Sequence, residues 1–184
     1  MNVQPVIILE GIDGAGKTTL AKILARRLGA FSAHHGNYPG IGSHALASVY
    51  YASMLPAKWG AAPVVMDRGW YSEPIYGEVF RDGLNRLSTE DWNELEEARF
   101  SVPSLVVVLK LTLDEAWNVV GKRLSDELAQ QRGELSKIHN GYECAKWPDG
   151  TLLLDRRDKT PDELADIVMR AVGATVKHFE KHVA

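Results

Sequence analysis

The sequence predicts an open α/β fold, with about five short parallel strands in one sheet and helices on both faces. Three observations predict it. Four runs are short, continuous and aliphatic, as strands buried on both sheet faces are: VIILE at 6–10, PVVMD at 63–67, LVVVLKL at 105–111 and TLLLD at 151–155. The segments between them space apolar residues at helical intervals. A glycine-rich turn, GIDGAGKTT at 11–19, joins the first run to the first helical pattern.

In chain order, the first helical pattern carries Leu20, Ile23, Leu24 and Leu28 at the spacing of one buried face. A weaker strand at 31–33 completes the five. After the strand at 105–111, Thr112 with Glu115 reads as a capping box. The last helix repeats the apolar spacing with Leu164, Ile167, Val168, Ala171 and Val172. Its start is marked by Thr160 as cap, Pro161 at the first helical position and Glu163 closing a second box. Ligands in such sheets bind beyond the carboxyl ends of the strands.

A chain of 184 residues that is 45% hydrophobic buries one sizeable core, so a single domain over 1–184 is expected. Lys plus Arg number 21 against 24 Asp plus Glu, a net charge of −3. No overall basic footprint therefore calls for nucleic acid or an anionic membrane. The single cysteine, Cys144, excludes an internal disulfide and any CxxC motif, which fits a reducing compartment, and it reads as a packing residue. The apolar runs are too short for a signal peptide or a membrane span, so a cytoplasmic protein with no membrane partner is expected.

Gly11, Gly16, Lys17 and Thr18 fill the GxxxxGK[ST] pattern without a mismatch, between a strand and a helix as a phosphate loop requires. The glycines let backbone N–H groups converge on a phosphate, and the helix N-terminus adds its positive end. Lys17 is then the cation for the β- and γ-phosphates, and the Thr18 hydroxyl the ligand for Mg²⁺. The expected ATP-binding set is Gly11, Asp13, Gly14, Ala15, Gly16, Lys17, Thr18 and Thr19. A glycine-rich turn before an ordinary helix is the alternative.

Residues beyond the loop narrow the class of nucleotide protein. No NKxD segment is present to read guanine, which argues against a GTPase switch. A motor-type ATPase places an acidic, water-activating residue after its second-strand aspartate, whereas here Arg68 follows Asp67. An Asp-Arg pair puts a metal or hydroxyl acceptor next to an anion clamp, which suits transfer to a bound acceptor.

These residues resemble the thymidylate kinase family. GIDGAGKTT together with DRGWYSEPIY is similar to the family's two motifs, the second of which reads DRYxxSxxAY. Asp67, Arg68, Ser72 and Tyr76 match in spacing, and Gly69 replaces the usual tyrosine. LDEAW, QRGELSKI and LLLDRRDKTPDEL continue the likeness over most of the chain. The resemblance implies a P-loop kinase fold with a mobile lid at roughly 124–142, ATP and Mg²⁺ as cofactors, and possible homodimers. One version of the family's phosphate loop carries an arginine where this chain has Gly14; otherwise the lid supplies it. The resemblance thus implies Arg132 as the catalytic arginine, with Arg123 and Lys137 as substitutes. It further implies that Asp13 lies near the acceptor sugar and that Arg156 and Arg157 flank the adenine.

The acceptor side departs from the family. The family's Arg-Glu-Pro segment, whose arginine grips the acceptor phosphate, is replaced by HHGNYPGIG, and no arginine lies between Arg27 and Arg68. The segment that covers the base is shortened to SHALASVYYASMLPAKWGAA. A monophosphate wants clustered cations, so the loss of a clamp argues for an uncharged acceptor. Trp70 and Tyr71 are the expected stacking face for a base, which is otherwise ordinary packing. The acceptor set is then Asp13, Asp67, Arg68, Trp70, Tyr71, Ser72 and Tyr76.

A pyrimidine deoxynucleotide, free or in DNA, is the partner this implies. The family also resembles a branch of phage enzymes that phosphorylate the hydroxymethyl group of 5-hydroxymethyluracil in DNA, and the reading leans that way. Asp67 or Asp13 then orients or deprotonates the hydroxyl. The basic pairs Arg26-Arg27 and Lys122-Arg123 weigh slightly for DNA, and the net charge against it. A dTMP kinase is the alternative, a deoxynucleoside kinase comes third, and a non-catalytic ATP-binding module is the different class. His34-His35, without further ligands at metal spacing, reads as a polar loop.

Overall fold

The computed structural model describes residues 3–36, 38–121 and 128–183. Five strands form one parallel sheet in the order β2-β3-β1-β4-β5: β1 (Val6–Glu10), β2 (Phe31–His34), β3 (Val64–Asp67), β4 (Ser104–Lys110) and β5 (Leu152–Asp155). This is the expected α/β class, with every strand within a residue or so of its run.

β1 is central because it is apolar on both faces. Val6, Ile7, Ile8 and Leu9 are fully buried, each side chain worth about 1.5–3 kcal/mol on leaving water. Leu9 pairs with Asp67 of β3, and Glu10 with Val108 of β4. The loop after β1 thus leaves the middle of the sheet, with the end of β3 at its side. β2 lies at the sheet edge and is largely exposed, which is why its sequence signal is weak.

Seven helices lie among the described residues: α1 (Lys17–Leu28), α2 (Ser43–Lys58), α3 (Ser72–Phe80), α4 (Thr89–Phe100), α5 (Leu113–Val120), α6 (Leu128–Cys144) and α7 (Pro161–Val183). α1 packs on α7, with Leu20, Leu24, Leu164, Val168 and Val172 buried in the same core, and Arg27 pairs with Asp162 and Asp166. Both capping boxes form. The Glu115 amide meets the Thr112 hydroxyl at 3.3 Å, and the Glu163 amide meets that of Thr160 at 3.2 Å.

The segment expected to cover the base is one helix, α2, packed on α4. Ser43 and Ser88 donate their hydroxyls to Asp91, which ties the starts of both helices together. α6 approaches α3 closely at Gly141, where an added Cβ would lie 2.7 Å from Ile75. Leu135, Ile138 and Tyr142 of α6 are buried in the core, so the later part of the expected lid is anchored; residues 124–127 lie outside the described residues. No described helix is long and apolar enough to cross a membrane. Cys144, expected to pack, is exposed.

Candidate active site

The phosphate loop leaves β1 through Gly11, whose φ is +137° and whose absent Cβ leaves 2.5 Å to the Leu109 carbonyl oxygen of β4. Any side chain there would displace the sheet. Gly14, at φ +86°, lies against Val119 and the Ala116 carbonyl of α5. An arginine at position 14 would be strained by this φ and tight against α5.

Lys17 opens α1 and folds back over the loop, donating to the Gly11 carbonyl at 2.7 Å and to Ile12 at 3.0 Å. Burial lowers its ammonium to about 8, Arg68 pushing the same way while Asp13, Glu10 and Asp67 pull back. Thr18 donates its hydroxyl to Asp67 Oδ2 at 2.6 Å. Asp67 ends β3, is 2% exposed, and accepts a second bond from His34 Nδ1 at 2.8 Å in the tautomer that carries the proton there. Its Oδ1 is buried without a hydrogen-bond partner among the described residues. A threonine hydroxyl beside an orphaned carboxylate oxygen is the kind of oxygen set a magnesium ion takes.

Arg68 sits in the left-handed region at φ +76°, a conformation that costs a non-glycine residue about 1–3 kcal/mol. Its surroundings hold it there. Its amide donates to Leu9, its guanidinium pairs with Asp13 and donates to the Tyr142 hydroxyl, and the guanidinium carbon lies 4.8 Å from the Tyr76 ring centre. Tyr76 also donates to Asp13 Oδ2 at 3.1 Å. Burial alone would raise the Asp13 carboxyl, but Arg68, Lys17 and these hydrogen bonds outweigh it and hold the group below its ordinary value. A carboxylate so held orients a hydroxyl better than it takes its proton.

Glu10 is a member of this cluster that sequence reading missed. The last residue of β1, it is fully buried, accepts from the Gly69 amide at 2.9 Å and from Tyr142 at 3.3 Å, and so braces the turn that carries Arg68. At Gly69 an added Cβ would lie 2.6 Å from Ile8 Cγ2 and 3.4 Å from Glu10, so a side chain there would force a neighbour to move. Burial pushes the Glu10 carboxyl up to about 7, against the pull of Arg68, the Gly69 amide, Lys17 and Tyr142. A folded-state value above the unfolded one means that this stabilisation is full below about 4.5 and lost as pH rises through about 7. The stability difference between wild type and Glu10→Gln, measured by urea unfolding at pH 4.5 and 8, is expected to shrink by up to ~3 kcal/mol at the higher pH.

A cavity of about 610 Å³ opens between the loop and α3, lined by Asp13, Arg68, Ser72, Tyr76 and Phe80, and also by His35, Tyr50, Glu73, Arg81 and Arg86. Its cations come from beyond Arg68. Arg86 holds Glu73 with two nitrogens, at 2.7 and 2.8 Å, and Arg81 reaches the same carboxylate at 3.2 Å. The stretch without arginine between Arg27 and Arg68 therefore does not leave this cavity without guanidinium groups. No local pattern announces them, because Arg81 and Arg86 lie in the irregular connection between α3 and α4.

The stacking face expected of Trp70 and Tyr71 is elsewhere. Trp70 is fully buried, stacked on Tyr71, with its indole N–H on Glu96; Tyr71 donates to the same carboxylate and lines a separate cavity with Trp92 and Trp147. The turn after Arg68 points both rings into the core. Ser72 donates to the Gly69 carbonyl and lines the cavity beside Arg68. Tyr76 and Phe80, stacked at 6.0 Å, are the aromatic pair on the cavity wall.

On the other flank, Arg156 donates to the Gly14 carbonyl at 2.8 Å and lines a cavity of about 510 Å³ with Asn118, Val119, Lys159 and Thr160. Arg157 lines the same cavity, with its guanidinium engaged by Asp155. Arg132, on α6, pairs with Asp114 at 2.9 Å and lies over Trp117 of α5, the helix that abuts Gly14. Lys137 is exposed on α6. Arg123 and Lys122 lie outside the described residues.

No protein-family model matches the chain. A probable thymidylate kinase of Methanococcus maripaludis is 26% identical over 193 residues, covering 90% of this chain and 94% of that relative. Among solved structures, the Bacillus subtilis YorR protein in complex with phosphorylated GDP superposes with a TM-score of 0.70 at 22% identity, covering 96% and 98% of the two chains. Candida albicans thymidylate kinase gives a TM-score of 0.55 at 16% identity, covering 94% and 92%. The chain thus has the P-loop kinase fold and resembles, over about nine-tenths of its length, proteins named probable thymidylate kinases.

Proposed function

We propose that this protein is an ATP-dependent kinase that moves the γ-phosphate of ATP to a pyrimidine deoxynucleotide. The observation that carries the reading is the Thr18–Asp67 contact: it joins the phosphate loop to the end of β3, and the loop's Asp13 and the adjacent Arg68 line the cavity. Donor and acceptor sites so joined suit direct transfer, with water kept out, over hydrolysis.

In this reading the loop amides and Lys17 hold the triphosphate, and the cavity beside Arg156 takes the adenine. Thr18 and Asp67 hold Mg²⁺, which when bound neutralises charge on the β- and γ-phosphates. Arg68 faces the transferring group, braced by Glu10 and Tyr142, while Asp13 orients the acceptor. Arg132 leaves Asp114 to complete the site when the lid closes. Arg132→Ala is then expected to lower turnover about 10²- to 10³-fold with little change in KM for ATP; unchanged turnover would end the assignment.

The cavity volume suits one nucleotide, and with the thymidylate kinase resemblance it favours free dTMP as acceptor. A second reading rests on a separate observation: Arg68, Arg81 and Arg86 are each paired with Asp13 or Glu73, leaving little free charge for a monophosphate. That favours an alcohol such as the hydroxymethyl group of 5-hydroxymethyluracil, extruded from DNA. Incubation with γ-labelled ATP and Mg²⁺ separates the two: label in dTDP supports the first, and label in 5-hydroxymethyluracil DNA the second. Label in neither rejects both.

A further inference from the structure

One residue that lines the acceptor cavity carries a buried polar atom with nothing to bind among the described residues. His35, just beyond β2, is 3% exposed, and its Nε2 is buried without a hydrogen-bond partner among the described residues. Its other nitrogen, Nδ1, lies 3.2 Å from the Tyr38 hydroxyl, and its ring sits 4.7 Å from that of Tyr50. Tyr50 in turn donates to Glu73, which Arg81 and Arg86 clamp. The ring is thus fixed from two sides while Nε2 is left over in a residue that lines the cavity.

A buried ring nitrogen without a partner destabilises the fold unless a ligand uses it. The surroundings define the chemistry of that ligand group. The guanidinium groups that line the cavity are already engaged by carboxylates. One imidazole nitrogen offers a single hydrogen-bonding site, a poor clamp for a phosphate dianion and a good partner for an uncharged group. A hydroxyl fits best, because it both donates and accepts and so suits either tautomer.

We propose that His35 is a specificity-determining residue whose Nε2 hydrogen-bonds an uncharged hydroxyl or base edge of the acceptor. The proposal rests on the reading of this cavity as the acceptor site, and it applies whether the acceptor is dTMP or a base in DNA. It also gives a reason for the orphaned nitrogen in the absence of acceptor: part of the stability of this region is realised only when the acceptor binds.

The test compares His35→Phe, which keeps a ring against Tyr50 without the nitrogen, with His35→Gln, whose amide reaches the position of Nε2. The acceptor is whichever of dTMP or 5-hydroxymethyluracil DNA the wild type labels. His35→Phe is expected to raise the acceptor KM roughly tenfold and leave the ATP KM unchanged, with a melting temperature equal to or above wild type. His35→Gln is expected to recover most of the loss. If His35→Phe does not fold, His35→Met replaces it. An acceptor KM within twofold of wild type overturns the proposal, as does an equal loss for ATP and acceptor in a folded variant, which marks a structural role. A wild type that labels neither acceptor overturns the acceptor reading, and this inference with it.

Discussion

Lys17→Met is expected to reduce phosphoryl transfer about 10³-fold, the largest loss of any single substitution here. The ammonium is the only side-chain charge built into the phosphate loop that matches a phosphate, and it is already poised over the loop by Gly11 and Ile12. ATP affinity should fall too, because the lysine meets the phosphates before as well as during transfer. Methionine keeps the buried stem but removes the lysine's bond to the Gly11 carbonyl, while the Ile12 carbonyl keeps the Ala15 amide; the loss is expected to cost about 1–3 kcal/mol. Urea unfolding run beside the activity assay separates the two effects. A folded variant with wild-type turnover would contradict the placement of ATP on this loop.

Asp67→Asn is expected to cut turnover about 10²- to 10³-fold while leaving the dissociation constant for metal-free ATP unchanged. Asp67 is the meeting point of Thr18 and His34, and its second oxygen is buried without a partner among the described residues. The amide keeps the size but removes the charge and turns one acceptor into a donor facing the site. Lys17 and the loop amides still hold the triphosphate, so the loss should appear in kcat. Equal losses in turnover and in metal-free ATP binding would mean that Asp67 serves to shape the loop instead.

The parts of this molecule that are legible in sequence are those written in local patterns. β1, β3, β4 and β5 are continuous aliphatic runs because the sheet buries both their faces, and the two capping boxes are four-residue signals. The phosphate loop and Asp67-Arg68 are short motifs fixed by the chemistry they hold. The rest of the site is assembled by long-range packing. Glu10 meets Tyr142 across 132 positions, and Arg86 meets Glu73 from an irregular connection that shows no periodicity. Counting arginines along one stretch of sequence is therefore blind to the charges that reach the cavity from another.

Trp70 shows the opposite failure. Its place next to Asp67-Arg68 suggests a site residue, yet the positive φ of Arg68 and the turn braced by Glu10 carry the next side chains into the core. His35 reads in sequence as part of a polar loop, whereas the fold buries it beside Tyr50. In both cases adjacency in sequence says nothing about direction in space.

In the proposed function the donor and acceptor sites act as one transfer centre. The most direct test is the yield of ADP from ATP and Mg²⁺ with and without acceptor, together with the amount of phosphorylated acceptor formed. A kinase of this kind gives little ADP alone and, with acceptor, one phosphorylated acceptor for each ADP. Steady ATP hydrolysis indifferent to every acceptor, or ATP binding with no turnover at all, would contradict it.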